Sequence, residues 1–380
     1  MAMSNIAATG QKKAKIFFPN LNGVRAIASL MVVIAHIELE KKEFNLPLIP
    51  HITLLNFGKV GVSVFFALSG FLITYLLLEE RKNFGKVSFA DFYMRRILRI
   101  WPLYFLIVIV GFFIYPKNNS SEAFWLSVFF LPNLAFTLKL LPALFDPIWS
   151  IGTEEQFYIF HPHFFRFKKV LHVFYALFGF LIFYLVFGQV TRHFSEGNYV
   201  VGVIGELTYY ARFDNMAIGA LVAVLYYNTK NNEFKFYFQK LFDLVFNKYV
   251  QILLLLAFVG FVYIYLQRLP PEGDLVIATL AALLIVNLCE TETSIVSLSN
   301  SKIRLIGEIS YGIYLIHKFP VRLMVWFVKT YMPDAGVLVQ NLVIYIAAIA
   351  VTLVLAWLSY NFFEKYFLGL KKKFAKITQH

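Results

Sequence analysis

The chain has 380 residues, of which 59% are hydrophobic and only 15% charged, and its formal net charge is +13. Soluble domains carry about 25% charged residues, so this composition excludes an ordinary soluble domain and indicates an integral membrane protein. The single cysteine, Cys289, excludes an intrachain disulfide and a cysteine-rich metal site. We expect no metal ion in the site.

Long apolar segments predict an all-α protein, because a hydrocarbon core about 30 Å thick requires helices of about 20 residues. Residues 1–16 are polar and basic without a signal-peptide cleavage site, so we expect a cytoplasmic segment before an uncleaved first span. A membrane domain over 17–367 and a basic cytoplasmic tail over 368–380 follow. The sequence predicts ten transmembrane helices, near 20–38, 58–79, 97–115, 121–138, 171–190, 211–228, 250–267, 274–290, 304–328 and 339–363.

The distribution of Lys and Arg predicts the orientation. With the N-terminus placed in the cytoplasm, 24 basic residues fall in inner segments and seven in outer segments. Cytoplasmic loops carry the excess of positive charge, so both termini are expected to be cytoplasmic, in a multi-pass protein of a bacterial inner membrane. Topology and anionic lipid account for most of the net charge. We therefore expect the lipid bilayer, and not a nucleic acid, as the partner of the basic loops.

Arg25 and His36 are the most informative pair in the first predicted span. Eleven residues make about three helical turns and a rise of about 16 Å, so both side chains share one face. Ionisable groups inside a span are costly and are interpreted first as functional. A fixed cation at one level and a titratable base at another suit a substrate with an anionic head and a distant reactive tip.

The segment FYMRRILRIWPLY (92–104) places Arg95, Arg96 and Arg99 before Trp101. One interpretation is a positively charged stop with an aromatic residue at the membrane interface. The other is a phosphate site, because Arg95 and Arg99 are spaced i, i+4 on one helical face and guanidinium groups pair bidentately with phosphate. The residues alone leave both open.

Other motifs place polar side chains within or beside apolar segments. Small residues of 58–74, including Ser69, are explained by close helix packing. Glu154 and Glu155 lie either in a solvated loop or in the membrane, and a lone histidine such as His317 is usually structural. The motifs are GKVGVSVFFALSGFLIT (58–74), WSIGTEEQFY (149–158), ARFDNMAIG (211–219), GEISYGIYLIHKFP (307–320) and SYNFFEKYF (359–367).

Taken together, these motifs resemble the acyltransferase-3 family of integral membrane acyltransferases. They occur in family order across about 17–367, beginning with the Arg25 and His36 pair. The family's fused extracytoplasmic hydrolase-like domain is expected to be absent, since the sequence stops soon after Lys373. Lys365 and Tyr366 follow Glu364 where a proline is common.

The resemblance implies transfer of an acyl group, usually acetyl, from cytoplasmic acyl-CoA to an extracytoplasmic hydroxyl. The acceptor it implies first is a surface polysaccharide or glycolipid; peptidoglycan, a membrane lipid and a secondary metabolite are alternatives. Chain length, acceptor and oligomeric state are left open by the sequence. The resemblance implies that acetyl-CoA is bound by Arg25, Arg95, Arg96, Arg99, Trp149, Arg212 and His317.

His36 is the expected catalytic base, because an acceptor hydroxyl is a poor nucleophile until a base removes its proton. Tyr311, Ser310 and Ser69 are candidates for stabilising the oxyanion, and Glu154 is the candidate for orienting the imidazole. Direct transfer and a transient acyl-His36 intermediate remain alternatives. A transporter with buried Arg, His and Glu is the competing function, although the sequence lacks an evident inverted repeat.

Overall fold

A computed structural model of the protein describes residues 16–49, 54–114, 120–235, 237, 239–268 and 272–375. Within these ranges the chain is helical and contains no strand. Nearly all of the predicted N-terminal segment 1–16, and the last five residues of the predicted tail 368–380, lie outside the described residues. The all-α fold class is therefore confirmed for the part that is described.

Seventeen α-helices occur in the described ranges, and they are numbered in chain order. They are α1 Leu21–Glu43, α2 Phe57–Phe84, α3 Phe89–Ile114, α4 Ser120–Val128, α5 Pro132–Thr137, α6 Ile148–Phe160, α7 Val170–His193, α8 Tyr199–Ala211, α9 Phe213–Asn231, α10 Gln239–Asp243, α11 Lys248–Gln267, α12 Gly273–Cys289, α13 Ser301–Glu308, α14 Ser310–Ile316, α15 Lys318–Tyr331, α16 Val337–Ser359 and α17 Lys365–Lys371. A π-helical turn, Tyr360–Glu364, joins α16 to α17.

Six of the described helical segments are long and apolar enough to cross a membrane, so the chain is a multi-pass membrane protein. Five of them contain α1, α2, α3, α7 and α11, and the sixth runs from α16 through α17. The helix α12 is apolar but has only 17 residues. The predicted count of ten spans is thus not confirmed.

Two predicted spans are not single helices. Residues 121–138 form α4 and α5, because Phe130 has a positive φ of 57° and Pro132 begins the second helix without a backbone N–H. Residues 304–328 form parts of α13, α14 and α15, which are interrupted at Ile309 and His317. Hydropathy alone does not distinguish a continuous apolar helix from a broken one.

The helix α2 lies at the centre of the fold and packs against α1, α9 and α12. Glycines bring these backbones together: a Cβ atom at Gly61 would lie 2.6 Å from the Ala28 carbonyl oxygen. A Cβ at Gly70 would lie 2.0 Å from the Met216 carbonyl oxygen. The small residues of 58–74 therefore serve close helix packing, as the sequence predicts.

Contacts between distant segments define two ends of the helix assembly. At one end, Arg81 donates to the Phe167 carbonyl and Arg95 donates to the Phe374 carbonyl. We call this end, where α1 begins and α17 ends, the basic end. At the opposite end, Arg192 pairs with Glu272. Because α1 runs away from the basic end, Arg25 lies near that end and His36 lies about three turns farther along the helix.

Candidate functional site

A cavity of about 560 Å³ opens among α1, α2, α3, α13 and α17 at the basic end, and we call it the wide cavity. Its walls carry eight cationic side chains but only two acidic ones, Glu80 and Glu308, in the described part of the chain. The cavity is therefore strongly cationic. The cations are Arg25, Arg95, Arg96, Arg99, Arg304, Lys365, Lys371 and Lys372.

The arginines of α3 differ in their partners. Arg95 forms an ion pair with Glu80 at 2.8 Å and donates to the Phe374 carbonyl at 3.0 Å. The Arg96 guanidinium lies 5.5 Å from the centre of the Tyr158 ring. Arg95 thus connects α3 to α2 and to the C-terminal segment, whereas Arg96 lies beside the ring of Tyr158.

Lys371 and Lys372 were predicted only as part of the basic tail 368–380, and no site role was predicted for Lys365 or Arg304. The structure places these side chains on the walls of the same cavity as Arg25 and Arg99. The clustered lysines of 371–373 were the only sequence signal. A topological interpretation explained that signal equally well.

A smaller cavity of about 110 Å³, the narrow cavity, adjoins the wide cavity and shares Arg25, Arg96 and Arg99 with it. It brings together predicted residues from five separate motifs. The polar side chains on its walls besides the three arginines are Ser69, Ser150, Glu154, Tyr158, Ser310, Tyr311 and Tyr314. The wide cavity at the basic end therefore has cationic walls, and the narrow cavity next to it has walls rich in hydroxyl groups.

Glu154 is held by two hydroxyl groups. The hydroxyls of Ser69 and Tyr158 both donate to its Oε1 atom, and these two hydroxyls also contact each other. The prediction that Glu154 orients the imidazole of His36 is therefore not what the described contacts show. The carboxylate orders the wall of the narrow cavity instead.

His36 and His317 form a pair that lines neither of the two cavities. Nδ1 of His36 lies 3.0 Å from Nε2 of His317 and 3.0 Å from the carbonyl oxygen of Val32, one turn earlier in α1. His317 is fully buried where α14 meets α15. The predicted donor-binding residue His317 thus contacts His36 and lines neither cavity.

Tyr314 connects the narrow cavity to the histidine pair. It lines the cavity, its hydroxyl lies 2.6 Å from Oγ of Ser150, and its ring centre lies 6.1 Å from that of His317. The ring of Phe65, another wall residue, contacts Tyr314 edge-on at 5.9 Å. Tyr314 is thus in contact with both the narrow cavity and His317.

The two further predicted oxyanion donors lie on α14. Tyr311 lines the narrow cavity but donates its hydroxyl to the Ile100 carbonyl at 2.6 Å. Ser310 also lines the cavity, and its hydroxyl makes no hydrogen bond within the described residues. Ser310 therefore has the hydroxyl that remains available for a ligand.

Two predicted donor-binding residues lie elsewhere. Arg212 pairs with Asp274 and lies over the Tyr209 ring, on the wall of a separate cavity of about 60 Å³. Trp149 packs against the rings of Phe136 and Tyr210. Neither side chain lines the wide or the narrow cavity.

A buried ionic cluster lies one helical turn beyond the histidine pair. Lys318 and Glu40 are fully buried and pair at 2.8 Å, and Arg322 pairs with Glu40 at 3.2 Å. Asp146 lies 4.0 Å from Lys318. This cluster ties α1 to α15, which carry His36 and follow His317 respectively. Within the described residues, no group of three or more His, Cys, Asp and Glu side chains is arranged to hold a metal ion.

Comparisons with known proteins agree on one relationship. A family model described as "Acyltransferase domain" (Acyl_transf_3) matches residues 18–361. "Putative peptidoglycan O-acetyltransferase YrhL" of Bacillus subtilis (strain 168) is 28% identical over 370 residues, covering 92% of this chain and 54% of its own length. "Peptidoglycan O-acetyltransferase OatA" of Listeria monocytogenes is 26% identical over 394 residues, covering 94% and 58% respectively. The chain thus spans little more than half of these relatives, and no solved structure matches it.

Proposed function

Since the chain belongs to the acyltransferase-3 family, we propose that it is a membrane O-acetyltransferase that moves acetyl from acetyl-CoA to a hydroxyl of an extracytoplasmic glycan. The observation that carries the proposal is the cationic wide cavity, which adjoins a narrow cavity whose wall residue Tyr314 contacts the histidine pair. The names of the two relatives favour peptidoglycan among the possible glycans.

The wide cavity supports CoA as the donor. Among the described residues, eight cations face two carboxylates there, and the diphosphate and 3′-phosphate of CoA carry several negative charges. Guanidinium groups bind phosphate with short, charge-assisted hydrogen bonds. Arg25 and Arg99, with Lys371 from the C-terminal segment, are the proposed phosphate ligands, and Arg95 holds the cavity wall through Glu80. Arg212 and Trp149 receive no role in donor binding, because they line neither cavity.

The narrow cavity supports the path of the acyl group. It extends from Arg25, Arg96 and Arg99 to Tyr314, so a pantetheine arm entering from the wide cavity points its thioester toward the histidine pair. Ser310 is the proposed donor to the oxyanion, because the hydroxyls of Tyr311 and Ser69 are engaged by Ile100 and Glu154. Donors aimed at the developing charge contribute strongly in a water-poor site.

His36 is the proposed base. In direct transfer, its free ring nitrogen accepts the proton of the acceptor hydroxyl while that oxygen forms a bond to the thioester carbonyl carbon. The carbon–sulfur bond breaks, and the imidazolium returns the proton to the leaving thiolate. An ester and free CoA result, so atoms and charges balance without another reactant.

Sidedness is part of the proposal. The excess of Lys and Arg supports a cytoplasmic basic end, where CoA is available. His36 lies about 16 Å farther along α1, in the half of the protein that contains the buried Glu40 and Lys318 pair. The acceptor accordingly approaches from the extracytoplasmic side.

The test is acetyl transfer by the purified protein, with radiolabelled acetyl-CoA and peptidoglycan fragments as acceptor. We expect His36→Gln to bind the donor but to lose about two to four orders of magnitude in turnover, as for removal of a general base. His193→Gln is the matched control, since His193 is exposed at the end of α7. Normal turnover of His36→Gln would contradict the assignment.

A further inference from the structure

Both histidines of the pair contact backbone carbonyl oxygens through a ring nitrogen, and these contacts determine which ring nitrogens carry hydrogen. Nδ1 of His317 lies 2.8 Å from the Tyr314 carbonyl oxygen and 3.1 Å from that of Ile313. A carbonyl oxygen accepts but never donates, so Nδ1 of His317 carries the hydrogen. In a neutral imidazole the other nitrogen is then an acceptor. Nε2 of His317 therefore presents a lone pair to His36.

The same reasoning determines the tautomer of His36. Its Nδ1 faces two acceptors, Nε2 of His317 and the Val32 carbonyl oxygen, each at 3.0 Å. Only a protonated Nδ1 satisfies this arrangement, and a neutral His36 then has a bare Nε2. That nitrogen is the one able to accept a proton from a substrate.

The surroundings hold His317 in this role. It is fully buried, it ends α14, and its backbone carbonyl accepts from Val321 at 3.0 Å in α15. The adjacent Lys318 is a buried cation, although Glu40 pairs with it and Asp146 lies 4.0 Å away. A second proton on His317 would place an N–H against Nδ1 of His36 and add a buried charge near Lys318. The neutral Nδ1–H form of His317 avoids both costs.

We propose that His317 is a positioning residue that holds His36 in the Nδ1–H tautomer, so that Nε2 of His36 is the atom that deprotonates the acceptor. The proposal rests on the proposed function for its consequence in catalysis, but the tautomer itself does not. It assigns to a second histidine the orienting task that the sequence suggested for Glu154. The Val32 carbonyl contacts the same Nδ1 from within α1, and His317 is the partner that reaches His36 from another helix.

Two substitutions of His317 separate positioning from packing. His317→Gln places an amide near the former Nε2, where its oxygen still accepts from His36. His317→Asn places an amide near the former Nδ1, where it still donates to the Tyr314 carbonyl but no longer reaches His36. Each variant keeps one of the two side-chain contacts of His317 and loses the other. The two variants therefore lose a similar amount of buried hydrogen bonding and can be compared directly.

We expect His317→Asn to lower kcat by about 10- to 100-fold, because an orienting partner is lost while the base remains. The KM for acetyl-CoA should stay unchanged, since His317 lines neither cavity. His317→Gln should retain kcat within about threefold. Equal kcat losses in both variants, or no loss in His317→Asn, would overturn the proposal. An inactive His36→Gln beside a fully active His317→Asn would reject this inference while leaving the proposed function in place.

A spectroscopic measurement tests the tautomer without any activity. In protein labelled with ¹⁵N-histidine, the signals lost in His36→Gln identify His36. We expect one protonated Nδ1 and one unprotonated Nε2 in the otherwise unchanged protein, and a mixture of tautomers in His317→Asn. An Nε2–H form of His36 in the unchanged protein would overturn the proposal even if acetyl transfer is confirmed.

Discussion

The cations of the wide cavity differ in how far neighbouring groups already neutralise them. Arg95 is committed to Glu80 and the Phe374 carbonyl, whereas Arg99 forms no ion pair within the described residues. A ligand phosphate therefore has more to gain from Arg99 than from Arg95, since each charge-assisted contact replaces water and not a carboxylate. The i, i+4 spacing predicted the same phosphate-binding role for Arg95 and Arg99, but the two side chains have different partners in the structure.

Arg99→Ala should weaken the binding of acetyl-CoA about 10- to 100-fold, which is the effect of removing a hydrogen bond to a charged group. A phosphate-free acetyl-pantetheine should be weakened much less, because it lacks the groups that Arg99 contacts. Arg166→Ala is the control, since Arg166 is an exposed arginine outside both cavities. Binding of both donors, measured calorimetrically, checks this. If the binding of both donors were weakened equally, Arg99 would not bind phosphate and would serve only as a positive charge that sets membrane orientation.

The sequence motifs predicted many residues of the candidate site, but they did not predict which side chains contact one another. Arg25, Arg96, Ser69, Glu154 and Ser310 line one narrow cavity, as a shared function predicts. The contact between His36 and His317 joins residues 281 positions apart, so no local pattern contains it. Arg212 occurs in a matching motif but pairs with Asp274. The motifs therefore predicted residues that share one cavity, but not the contacts between them.

At the scale of elements, close helix packing at α2 positions the whole site. The Gly70 and Met216 contact holds α2 against α9, one residue from Ser69 on the cavity wall. Uninterrupted apolar helices such as α7 and α11 were predicted well, because length and hydropathy define them. The segmentation of α13–α15 was not, because apolar composition does not reveal where a helix is interrupted. His317, at the junction of α14 and α15, contacts His36 of α1.

Gly70→Ala should destabilise the protein by about 1–3 kcal/mol, because an added methyl group at 2.0 Å from the Met216 carbonyl oxygen forces α2 and α9 apart. Gly179→Ala is the control, as nothing lies within 4 Å of a Cβ at that position in α7. Thermal unfolding in detergent compares the two variants. A Gly70→Ala variant as stable as the control would show that α2 and α9 separate at little cost.

At the scale of the whole molecule, charge and cavities are arranged along one direction. The wide cavity opens at the basic end, the narrow cavity follows, and the histidine pair lies beyond Tyr314. In the proposed reaction, a donor phosphate and an acceptor hydroxyl approach from different ends. The excess of basic residues predicts that the basic end is cytoplasmic, whereas the C-terminal wall of the wide cavity depends on tertiary contacts such as Arg95 with Phe374.

Transfer across the membrane is the central claim, and vesicles of known orientation test it most directly. Acetyl-CoA supplied only to the cytoplasmic face should yield acetylated glycan on the opposite face, without uptake of intact CoA, because its charged head would have to enter a low-dielectric core. The His36→Gln protein should give no product in the same vesicles. Acetylated product confined to the face that received acetyl-CoA would contradict the account.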